Sequence, residues 1–121
     1  MFGRKKTNDD QLRANHREYY RNCLIQIADL EDRAGPASWS SLKASFAAVW
    51  SDDATAEEIS AKVALARKFA SDLESNLSSV SIDTATRSLE LLQEIIDNAE
   101  HQLQGLLAGL VTAQAMRSTD Q

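Results

Sequence analysis

From Ile82 the apolar residues fall at Ile82, Ala85, Leu89, Leu92, Ile96, Ala99, Leu103, Leu106, Leu110 and Ala113. These alternating steps of three and four keep one seam of a helix facing a partner, so the pattern predicts a helix over Ile82–Met116. Asp83 is its candidate cap. Two upstream stretches repeat the spacing. His16, Tyr20, Cys23, Ile27, Leu30 and Ala34 predict a first helix, capped at Asn8, Asp9 or Asp10 and stopped by Gly35-Pro36. Ile59, Val63, Ala66, Ala70, Leu73 and Leu77 predict a third, opened by a capping box from Thr55 to Glu58. Between them, Ser38 is expected to cap a short helix over Trp39–Trp50. Its Trp39, Leu42, Phe46 and Val49 share one side, an aromatic plug for one end of a bundle.

Three long helices and one short helix, all with apolar seams, specify an all-α fold: an antiparallel helical bundle with coiled-coil-like packing. The expected organisation is a basic flexible arm at residues 1–8, a bundle domain at 9–117 and a disordered tail at 118–121. Four glycines and one proline in 121 residues leave few breaks for a sheet-rich alternative.

Length gives the last helix its interest. A helix of about 33 residues spans about 50 Å, whereas a compact chain of this size has a radius of gyration of about 14 Å. The last helix is therefore expected to outreach its own partners. From His101 to Met116 it carries no formal charge, and Leu107 and Val111 add apolar surface off the seam. Gly105, Gly109 and Ala113 lie four apart, so close packing against a neighbouring backbone is expected to offset the cost of helical glycine, roughly 1 kcal/mol each. Leu103, Leu106, Leu107, Gly109, Leu110, Val111 and Ala113 are thus the candidate interaction residues. The expected partner is a second copy of the chain, as a dimer or higher oligomer, or another protein subunit.

Charge modifies this picture at one end. The net charge is −5, yet residues 1–24 hold six Lys/Arg against three Asp/Glu, and the remainder seven against fifteen. Arg4, Lys5 and Lys6, with Arg13, Arg17 and Arg21 stacked four apart, form the candidate basic face. The acidic body makes a poor nucleic-acid footprint and favours protein contact for that face. Residues 1–6, with Met1-Phe2 beside the cations, offer a weak membrane-surface contact as an alternative.

Candidate chemistry is sparse. His16, His101 and Cys23 are the only histidines and cysteine, so no metal site is expected. No glycine-rich phosphate loop or nucleophile arrangement stands out, and no cofactor is expected. Glu90, Glu94, Asp97 and Glu100 read as a solvated face. A lone cysteine and no apolar leader fit a reducing, cytoplasmic setting. His101-Gln102-Leu103-Gln104-Gly105 resembles the H-x-L-K-G stretch of histidine-containing phosphotransfer domains. Gln104 stands where that family has lysine, and Val111 where it has glycine. The resemblance implies an exposed phosphoaccepting histidine at His101 and a response regulator as partner. The reading expected from the residues themselves is a non-enzymatic adaptor or structural subunit.

Overall fold

The seams described above need partners, and each finds one within the chain. In a computed structural model, α1 (Phe2–Arg33), α2 (Pro36–Ser45), α3 (Asp53–Asn76) and α4 (Ile82–Thr119) account for the secondary structure. Residues 2–51 and 53–119 are described, with side chains from 8 to 51 and 53 to 118.

Contacts between helices fix their directions. His16, Cys23, Gln26 and Arg33 of α1 meet Thr86, Gln93, Gln93 and Glu100 of α4 in rising order, so these two helices run parallel. Tyr20 and Arg13 meet Ala70 and Leu77 in falling order, so α3 runs antiparallel to both. The bundle is therefore up, down, up, with α2 as a short fourth helix, an all-α architecture in which α3 and α4 share the most extensive interface.

The expected seams are the core. Cys23, Ile27 and Leu30 of α1, Ile59, Ala66 and Ala70 of α3, and Ala85, Leu92, Ala99 and Leu103 of α4 are each at most 1% exposed. Burying each large side chain contributes about 1.5–3 kcal/mol, so the repeat dictates the assembly of the three helices. Small residues at Ala66, Ala70, Ala85 and Ala99 let the backbones approach.

Helix ends differ from expectation in several places. α1 begins at Phe2, so the arm expected over residues 1–8 is helical from its second residue, and Met1 lies outside the described residues. No proline interrupts that stretch, and the turn hydrogen bonds simply continue. α2 is capped by Gly35, not Ser38, with Pro36 in the first turn, where its missing N–H costs nothing. Ser38 instead donates its hydroxyl hydrogen to the Asp32 carbonyl. A methyl at Gly35 would sit 2.7 Å from the Glu31 carbonyl oxygen, so only glycine lets α1 turn into α2 this tightly.

The short helix also ends sooner, at Ser45 rather than Trp50. The turn that follows returns Trp50 to Trp39, with ring centroids 6.4 Å apart and tilted 57°. Trp39 joins the buried core and Trp50 packs on its edge, as the plug reading required. α3 starts at Asp53, which places Thr55 inside the first turn rather than at the cap. At α4 the capping oxygen is Ser81 Oγ, which accepts the Thr84 N–H at 3.1 Å, so Asp83 is not the cap. α4 continues to Thr119, into the expected tail; residues 120 and 121 lie outside the described residues.

Candidate functional site

The register between α1 and α4 decides what the last helix leaves uncovered. Arg33, the final residue of α1, bonds Glu100 across the interface. Lys62 of α3 bonds Asn98, which sets the first residue of α3 roughly one turn beyond Leu103. Residues 104–119 of α4 thus run past the end of α1, over about 24 Å at 1.5 Å per residue.

The candidate interaction residues separate along this segment. Leu103 is fully buried in the chain's own core, and Leu106 and Leu107 are half-buried against it. Leu110 is 5% exposed but stands apart from the contiguous core. Ala113 is half-buried. Val111 is 59% exposed, and Met116, which the seam pattern did not single out, is 65% exposed. Gly109 is exposed, and a methyl added there or at Gly105 would meet no atom within 4 Å. The close approach expected at these glycines does not occur within the chain, because they lie on the side of α4 opposite Leu103 and Leu110. An open groove of about 420 Å³ between α2 and α4, bordered by Ser41, Leu42, Leu103 and Leu107, adjoins the segment.

The basic ridge is also divided. Arg13 turns inward and donates to the Leu77 carbonyl at 3.4 Å and the Val80 carbonyl at 3.0 Å, closing the C-terminal turn of α3. Orphan carbonyls at a helix end attract a cation there. Arg17 is exposed, and Arg21 is exposed with a distant 3.7 Å contact to Glu18. Arg4, Lys5 and Lys6 lie on α1, but their side chains are outside the described residues.

His101 is exposed on α4. Of the carboxylates read as a solvated face, Glu90, Glu94 and Asp97 are exposed, whereas Glu100 is half-buried. It takes a 2.8 Å bond from Arg33, which also bonds Asp29 at 2.7 Å. Sequence spacing alone had no means of pairing residues 67 positions apart. Cys23 is completely buried, its Sγ 3.6 Å from Gln93 Oε1, and burial pushes the thiol up to about 11. It is a core side chain and a poor nucleophile.

Among the described residues no group of three or more His, Cys, Asp and Glu is placed to hold a metal ion. No helix there is long and apolar enough to cross a membrane. Compared with family models, curated proteins and solved structures, the chain matches none.

Proposed function

We propose that this chain is a non-enzymatic helical subunit that associates with a second copy of itself through the C-terminal segment of α4. The observation that carries the reading is the projecting segment itself. Beyond about residue 107 it extends past both long partner helices; the run from His101 to Met116 carries no formal charge, and Val111 and Met116 are exposed. Gly105 and Gly109 leave its outer side flat, so a second helix can approach closely there. The cost of two helical glycines is uncompensated in the single chain and is offset on association. A two-fold dimer is the simplest closed arrangement, because one patch then serves both sides. A lone buried cysteine is compatible with a cytoplasmic setting for the assembly.

Size sets the strength. One face of a helix about 10 Å across and about 18 Å long offers roughly 200 Å² per partner, below the roughly 800 Å² of standard stable complexes. The dimer is accordingly expected in the micromolar range. Sedimentation velocity from about 1 to 300 µM tests it. The expected result is a concentration-dependent shift from monomer to dimer, weakened at least tenfold in Val111→Glu/Met116→Glu with the helical circular dichroism unchanged. A monomer throughout that range, or a dimer indifferent to both substitutions, refutes the proposal. Leu110 is unsuitable for this test, since a charge at a 5% exposed position would perturb the fold itself.

A further inference from the structure

A second feature lies at the opposite end of the bundle, where α1 passes the last turn of α3. A half-open cleft of about 230 Å³ sits there, walled mainly by apolar surface, including the Tyr20 ring and Leu77. At roughly 30 Å³ per water it would hold about seven or eight, which is small beside the 300–1,000 Å³ of drug-sized pockets. A ligand of about ten non-hydrogen atoms is what it fits.

The walls of the cleft are held rigidly from behind. The Thr86 hydroxyl donates to the Ile82 carbonyl at 2.9 Å, so it accepts from His16 Nε2–H, also at 2.9 Å. That bond fixes the His16 ring and its tautomer. Tyr20 donates its hydroxyl hydrogen to the Ala70 carbonyl at 2.6 Å, which pins the phenol against α3. Arg13 is tied to two carbonyls, which hold its charge in place, and it forms no ion pair with a carboxylate among the described residues.

Three polar side chains that line the cleft remain to be accounted for. Arg17 from α1 and Glu74 from α3 both line the cleft, and they form no ion pair with each other or with another described residue. Ser78 adds a hydroxyl at the rim. Two arginines and one glutamate leave the mouth with one net positive charge. A guanidinium wants a carboxylate in its fork, and a carboxylate wants a hydrogen-bond donor. The apolar wall of the same cleft suits a short hydrocarbon body.

We propose that this cleft binds a small α-amino or α-hydroxy acid with an aliphatic side chain. The carboxylate sits on Arg17 beside the fixed charge of Arg13. The adjacent ammonium or hydroxyl donates to Glu74, and the side chain lies on Tyr20 and Leu77. This site is independent of the proposed dimer segment, some five helical turns away along the bundle.

The test is titration of the full chain, followed by amide NMR shifts and calorimetry, with four probes: L-leucine, its 2-hydroxy analogue, 4-methylpentanoate and leucinamide. Saturable binding of the first or second, with Kd on the order of 0.1–1 mM for so small a ligand, is expected, and which of the two binds tighter identifies the donor. The shifts should centre on residues 13–20 and 74–80. 4-Methylpentanoate, lacking the donor, should bind on the order of tenfold more weakly, and leucinamide, lacking the carboxylate, should not bind measurably. Arg17→Gln and Glu74→Gln change exposed side chains and should each weaken binding about tenfold or more, whereas Arg21→Gln should leave it unchanged. No saturable shift with either acid overturns the proposal. So does equal weakening by Arg21→Gln, or inorganic phosphate competing as well as the acids, since either marks a diffuse charge effect.

Discussion

Ser60→Ala should destabilise the protein by about 2 kcal/mol, although it deletes a single oxygen from a helix. Trp39 Nε1–H donates to Ser60 Oγ at 2.8 Å, and the Ser60 hydroxyl passes its own hydrogen to the Ala34 carbonyl at 3.0 Å. One hydroxyl thereby latches α2 to α3 and to the C-terminal end of α1. Trp39 is only 9% exposed, so removing the acceptor strands a buried N–H, costing about 1–3 kcal/mol. Loss of the donor to Ala34 adds about 1 kcal/mol, and the better helix propensity of alanine returns about 0.5 kcal/mol. In a domain of 121 residues a loss of 2 kcal/mol lowers Tm by about 8 °C. Trp39→Phe keeps the Ser60–Ala34 bond and removes the indole donor. Urea unfolding of wild type, both single variants and the double variant, followed at 222 nm, measures the coupling. A coupling of about 1 kcal/mol is expected. A value below about 0.3 kcal/mol, or a Ser60→Ala variant as stable as wild type, would refute the latch.

Leu103→Ala should cost about 3–5 kcal/mol by leaving a cavity at a fully buried site, with a loss that is independent of protein concentration. A loss that vanishes on dilution would instead place Leu103 in an intermolecular contact. The Cys23 thiol, displaced from 9.0 to about 11 by burial, should react slowly with a thiol reagent at pH 8 in the native state and at the usual rate in urea. Because the folded state disfavours the thiolate, stability linked to this group is fully present below about pH 9 and declines as pH rises toward 11. Prompt native reactivity at pH 8 would contradict that burial.

Much of the architecture was legible because helical pairing is written locally. The steps from Ile59 to Leu77 and from Ala85 to Leu103 depend only on 3.6 residues per turn, and those positions are the ones the structure buries. Gly35-Pro36 marked the break between α1 and α2 for an equally local reason: one residue cannot bear a side chain there and the other cannot continue the helix. Turn details were less legible. Ser38, Thr55 and Asp83 are all competent caps by type, and the neighbouring chain, not the residue, determined which oxygen met an open N–H.

The candidate sites divide in the same way. The uncharged run from His101 to Met116 and the cations of the first helix are visible in the chain itself. Which of them remain available is a matter of register. Parallel α1 and α4, offset by 67–70 residues, bury Leu103 and leave Val111 and Met116 bare. The antiparallel approach of α3 turns Arg13 onto two carbonyls while Arg17 and Glu74 line one cleft without an ion pair to a described residue. Periodicity along one helix fixes which side is apolar. Only packing between helices fixes how far each slides past the next, and that offset depends on side-chain shapes summed over the whole interface.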